Sequence, residues 1–119
     1  MRAVVITEPG GPEVLQVREV PDPVPGPDDV LVEIKATALN RADTLQRKGG
    51  YPAPPGSPDD IPGLEFSGVV LKAGERVTSP VQGDRVCGLL GGGGYATRVV
   101  THHRLTMPIP DSIDFIQAA

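Results

Sequence analysis

Residues 30–51 read VLVEIKATALNRADTLQRKGGY, and two different periods meet inside them. From Val30 to Leu39 the apolar positions alternate. Val30, Val32, Ile34, Ala36 and Ala38 share one face, and Glu33, Lys35 and Thr37 take the other, the two-residue repeat of a half-buried strand. At Asn40 the repeat breaks. The Asn40 side-chain oxygen can cap a helix, and Asp43, three residues on, can return the bond as a variant capping box. Ala42 and Leu45 offer a short apolar stripe, Arg47 and Lys48 suit the negative end of the helix, and Gly49 stops it. Tyr51 follows the turn. The stretch predicts a strand, a short helix beginning at Asn40 and a delivered tyrosine.

Around it the chain reads as strands and turns. Arg2 to Thr7 is a β-branched run closed by Glu8-Pro9-Gly10-Gly11-Pro12, a sequence no helix can cross. Val14 to Val20 is a second strand. Residues 21–27 hold four prolines and make an extended surface connection. Beyond Tyr51 a proline-rich loop runs to Gly63, and Leu64 to Lys72 is another strand, with Ala73-Gly74-Glu75 as a hairpin turn. Arg85 to Leu90 and Tyr95 to His102 complete the strands, joined by the glycine run 91–94. Asp111 or Ser112 then caps a helix, DSIDFIQAA, that the chain leaves after about two turns, so truncation is expected. Six or so short strands, one small helix and Pro/Gly turns predict a mainly β barrel or sandwich.

Composition narrows the function classes. The 119 residues make one domain with a modest core. With two Phe, two Tyr and no Trp, that core is expected to be Val, Leu, Ile and Ala. A net charge of −4 offers no basic patch for nucleic acid. The single cysteine excludes an intramolecular disulfide, and no apolar run approaches the ~20 residues that span a bilayer. A soluble cytoplasmic domain is the expectation.

Each polar feature has a plain structural reading beside the functional one. The glycines at 91–94 invite a phosphate cradle, but a strand follows them where a dinucleotide fingerprint needs a helix, so they read as a hairpin loop. Cys87, His102 and His103 are the soft metal ligands present. Adjacent histidines on a strand point to opposite faces, and Cys87 lies in an apolar run where a thiol serves as a small hydrophobe. Asn40 and Asp43 serve equally well as helix caps, and Tyr51 as a packing residue. Glu65, between apolar neighbours, needs a partner of some kind.

The order GGPEVL, PGPDDVLVEIKATALNRADTLQRKGGYP, PGLEFSG and GDRVCGLLGGGGYA resembles the N-terminal domain of the medium-chain dehydrogenase/reductases. Within them it is most similar to the zeta-crystallin-like NADPH:quinone oxidoreductases. The resemblance covers essentially the whole chain. It implies a GroES-like, partly open β-barrel over residues 1–119, normally followed by a Rossmann nucleotide-binding domain that this chain lacks. Zinc members of the superfamily carry Cys-x-x-Asp at the start of this helix and Gly-His-Glu before the next strand. Here those positions read Asn40-Arg41-Ala42-Asp43 and Gly63-Leu64-Glu65, and the four structural-zinc cysteines are missing too.

By that resemblance Asn40, Arg41, Asp43 and Thr44 line the nicotinamide side of a cleft, and Tyr51 stands at its mouth to hold or protonate the substrate oxygen. The implied activity is NADPH-dependent, zinc-free hydride transfer to a quinone or other small electrophile. The cofactor would be shared with the missing domain, the fragment alone inactive, and the whole protein a homo-oligomer. Two alternatives stand beside it: an enoyl or enone reductase of the same superfamily, and a non-enzymatic GroES-like interaction module.

Overall fold

A computed structural model describes residues 1–119. Seven strands and two short helices follow one another: β1 (Arg2–Ile6), β2 (Leu15–Glu19), β3 (Asp29–Ala36), α1 (Arg41–Arg47), β4 (Glu65–Ala73), β5 (Arg85–Leu89), β6 (Arg98–His102), β7 (Thr106–Pro108) and α2 (Phe115–Ala118). Single 3-10 turns lie at Pro12–Val14 and His103–Leu105.

β1 and β2 pair antiparallel, with Val4 opposite Val17. The other five strands form one antiparallel sheet in the order β6-β3-β4-β5-β7. The two sheets meet where Ala3 bridges Ala96. There Val4 donates its N–H to the Tyr95 carbonyl (2.8 Å), Thr97 to Arg2 (2.9 Å) and Ile34 to Thr97 (3.0 Å). Backbone groups that would otherwise form open edges are thus paired on one side only, which leaves a partly open barrel.

The alternation in β3 does what its period demands. Val30 and Val32 are fully buried, and with Phe66, Val70, Val86 and Val99 they form the main core. A smaller cluster of Ala3, Val5 and Ile61 sits under β1. Each buried Val, Ile or Phe side chain stabilises the fold by about 1.5–3 kcal/mol. The composition of this core differs from the expectation. Phe66, one of the two phenylalanines, is its largest buried residue, and no leucine is fully buried. β-Branched valine suits the pleated surface, so the leucines fall to loops, ends and rims.

Other differences have local causes. β3 ends at Ala36, and Leu39 is left 88% exposed, because Thr37 turns its hydroxyl to the Glu65 carbonyl (2.7 Å) and leads the chain off the sheet. In α1 the buried residue is Gln46, not Leu45. Its Nε2 donates to the Asp59 carbonyl (3.1 Å), anchoring the helix to the proline-rich loop. Residues 90–97 are no hairpin, since β3 and β4 lie between β5 and β6; they cross the end of the sheet. The turn at Gly74 does form, with Val77 N–H donating to the Gly74 carbonyl (3.0 Å), and it opens a long connection that joins β4 to its antiparallel neighbour β5. β7 is absent from the strands expected above, since it is only three residues long and ends in Pro108. It forms as a sheet edge, where proline is tolerated. Asp114, rather than Asp111 or Ser112, caps α2, accepting from Gln117 N–H at 2.8 Å. No helix is long and apolar enough to cross a membrane.

Candidate active site

The polar side chains gather at the start of α1. Asn40 is the N-cap, with extended backbone; Asp43 returns the expected bond to it, but the Asn40 side chain makes no capping hydrogen bond, so only half of the box forms. Asp43 Oδ2 accepts the Asn40 main-chain N–H at 2.7 Å. The Asn40 side chain reaches further than a cap: its Nδ2 donates to Glu65 Oε1 at 2.7 Å. Glu65, the carboxylate that needed a partner, thus finds it across 25 residues of chain. The second donor on Asp43 Oδ2 is the Tyr95 hydroxyl, at 2.5 Å. That hydroxyl also lies 3.4 Å from the Ala38 carbonyl. Asp43 Oδ1 is buried with no partner.

Electrostatics fix the tyrosine's state. Burial, the hydrogen bond to Asp43 and the charges of Asp43 and Glu65 push the Tyr95 phenol far above its ordinary value. At neutral pH it keeps its proton and serves as a hydrogen-bond donor. It is a poor proton source.

Of the residues singled out in the sequence, the structure brings Asn40 and Asp43 into one bonded cluster. Arg41 and Thr44 are exposed on the same helical turn, with the Thr44 hydroxyl donating to the Arg41 carbonyl (2.7 Å). Tyr51 is half-buried beyond the other end of α1, past Gly49, whose φ of +79° reverses the chain. It does not join the cluster. Sequence reading missed Tyr95, which appeared as the first residue of a strand. Its one signal was being one of only two tyrosines, placed just after four glycines.

An open apolar groove of about 530 Å³ borders the cluster, walled by Val4, Leu15, Val17, Leu39 and the Tyr95 ring. A larger cleft of about 1050 Å³ lies between residues 55–58, the Gly91–Gly93 run and β6. It holds none of Asn40, Arg41, Asp43, Thr44 or Tyr51, so its size does not make it the reacting site. The histidine pair also departs from expectation. β6 ends at His102, so the two rings stack, with centroids 4.8 Å apart, instead of facing opposite ways. Cys87 is half-buried, opposite Ser67 and Met107. No three His, Cys, Asp or Glu side chains converge in a way that could hold a metal ion.

A half-open antiparallel barrel, with a short capped helix placing polar groups at its rim, defines a GroES-like domain. Residues 26–111 match the alcohol dehydrogenase GroES-like domain, and the chain belongs to that family, among the medium-chain dehydrogenase/reductases. It is 36% identical to the quinone oxidoreductase of Rattus norvegicus over 121 aligned residues, covering 100% of this chain and 36% of the relative. It is 38% identical to a trans-enoyl reductase, tndF, of Aspergillus flavipes, covering 99% of this chain and 36% of that one. Among solved structures it superposes on the Escherichia coli quinone oxidoreductase complexed with NADPH with a TM-score of 0.89. The identity there is 34%, and the match covers 99% of this chain and 36% of that one. The chain therefore spans about a third of the length of these relatives.

Proposed function

We propose that this chain is the substrate-side domain of an oxidoreductase that reduces a quinone with NADPH and without zinc. In the whole protein a Rossmann domain would complete the cofactor site. The observation that carries this reading is the similarity to quinone oxidoreductases along the entire chain. The chemistry of the site supports it.

The first turn of α1 fits one edge of a nicotinamide. Arg41 and Thr44 are exposed there beside Leu39, and the turn holds a buried carboxylate oxygen, Asp43 Oδ1, still without a donor. When bound, NADPH supplies the hydride. Arg41 and Thr44 hold and orient the ring edge, while Asn40 and Asp43 keep the turn in place. Tyr51 stands on the substrate side. Its phenol O–H can donate to a quinone oxygen as negative charge develops there.

The donor set also bears on zinc. Where a zinc site needs a thiolate and an imidazole, this chain offers an amide and Leu64, and the amide nitrogen is spent on Glu65. A hydroquinone oxygen carries charge well without a Lewis acid, so positioning and a proton are sufficient.

The test is NADPH oxidation with a small quinone, on this chain and on the protein carrying the following domain. Turnover only in the longer protein is expected, with Tyr51→Phe lowering kcat by about 10²–10⁴. Turnover by this chain alone would overturn the shared-site reading. The similarity to the trans-enoyl reductase supports a second reading, reduction of an activated double bond. Turnover with an enone and none with quinones would select it. We place the whole protein in the cytoplasm, as a homo-oligomer.

A further inference from the structure

We propose that Tyr95 is a positioning residue: its hydroxyl clamps Asp43 and thereby locks the first turn of α1 in the orientation that presents Arg41 and Thr44. This rests on the reading of that turn as the nicotinamide side of the site.

The helix cannot hold this orientation by itself. Its seven residues, about 10 Å long, fall below the ~12–15 that are even marginally stable in isolation. Its far end is tied down through Arg47, whose carbonyl accepts from Gly10 N–H (3.0 Å) and whose Nε donates to the Gly10 carbonyl (3.1 Å). Its near end carries no comparable main-chain tie to the barrel. There the anchors on the helix itself are two side-chain bonds, Asn40 to Glu65 and Tyr95 to Asp43, with the chain just before it held by Thr37 to the Glu65 carbonyl and by the longer contact of the Tyr95 hydroxyl with the Ala38 carbonyl.

Tyr95 is built to be the rigid half of its bond. Its N–H donates to the Pro62 carbonyl (2.9 Å) and its carbonyl accepts from Val4 (2.8 Å), so two separate segments grip its backbone. Gly94 beside it donates to the Gly63 carbonyl at 3.0 Å. A Cβ on Gly63 would stand 2.5 Å from the Tyr95 nitrogen, so that approach exists only because residue 63 is glycine. Pro62, Gly63 and Glu65 belong to one short run, which therefore seats Tyr95 by its backbone and holds Asn40 by its carboxylate. Both near-end anchors of α1 thus depend on the same piece of chain. Because Asp43 Oδ2 accepts from both Tyr95 and the Asn40 N–H, the tyrosine's hold passes directly to the N-cap. The raised pKa of the phenol agrees with a permanent donor and not with a proton shuttle.

The experiment is Tyr95→Phe in the whole protein, read by amide hydrogen exchange without cofactor. The variant removes one oxygen and keeps the ring that walls the groove. Loss of a bond to a charged acceptor shifts a local opening equilibrium by about ten- to a hundredfold. Amides of residues 40–45 are expected to exchange faster by that factor while those of β3 and β4 stay unchanged. In the enzyme assay the KM for NADPH is expected to rise, and the pH profile to keep its shape, because the phenol does not titrate. Unchanged exchange at residues 40–45 would overturn the proposal, as would a pH limb that vanishes with the hydroxyl. If exchange rises throughout the barrel, Asp43→Asn, which loosens the same bonds from the helix side, decides between a local and a global effect. The exchange result stands whether or not any quinone is reduced. Failure of the wild type to oxidise NADPH would thus sink the functional reading alone.

Discussion

Replacing Gly63 with alanine tests how the site is seated in the barrel. Gly63 has φ of +106°, and an added Cβ would meet the Tyr95 nitrogen at 2.5 Å and the Gly94 carbonyl carbon at 2.7 Å. Both are backbone atoms, fixed by the bonds that Tyr95 and Gly94 make to residues 62 and 63. Two costs follow. A left-handed backbone costs a residue with a Cβ about 1–2 kcal/mol, and steric overlap in a packed region costs about 1–3 kcal/mol more. The stiffer unfolded chain returns roughly 0.5–1 kcal/mol. The expected loss is therefore about 1–4.5 kcal/mol, a sizeable share of the 5–15 kcal/mol typical of a folded domain. Gly56 supplies the control, since its φ is +89° but nothing stands within 4 Å of its Cβ position. Gly56→Ala should lose only about 0–1.5 kcal/mol, because the overlap term is absent. Urea unfolding of the two variants beside the parent reads both values from the midpoints at a shared slope. If Gly63→Ala were no more damaging than Gly56→Ala, the close backbone approach that seats Tyr95 would not exist, and the reasoning would fail with it.

Three further outcomes are expected. Phe66→Ala empties the centre of the main core, where the ring is fully buried, and should lower stability by about 3–5 kcal/mol in the same unfolding assay. The raised pKa of Tyr95 makes stability depend on high pH. Unfolded tyrosine loses its proton near pH 10 while the folded phenol keeps it, so the stability is fully present below about pH 10 and falls as pH rises beyond it. Wild type should therefore weaken more steeply than Tyr95→Phe above that pH, and parallel curves would count against the buried hydrogen bond. On the surface, the Arg76 guanidinium bonded to Asp28 holds that carboxyl below the usual range. Arg76→Gln should let it return upward, seen as a shifted side-chain carboxyl titration by NMR. Because the pair is solvent-exposed, the melting temperature should hardly move.

Much of the local structure was legible in the sequence. Alternation in residues 30–36 made β3, the Asn40–Asp43 spacing made the cap of α1, and glycine at 49 ended the helix. These are short-range effects, written in neighbours a few residues apart. The family was legible for the same reason, since its motifs are runs of contiguous residues. Tertiary structure alone decided what those pieces touch. A glutamine became the buried face of α1 because a loop carbonyl at Asp59 stood within reach of it. The glycine run became a crossover because β3 and β4 insert between β5 and β6, which no local pattern encodes. The polar cluster joins residues 40, 43, 65 and 95, and two of its three bonds span 25 and 52 residues of chain. Asn40 and Asp43 stood out because capping works over three residues. Tyr95 did not, because its hydroxyl meets Asp43 only once the barrel has brought the Gly63 and Gly94 backbones into contact.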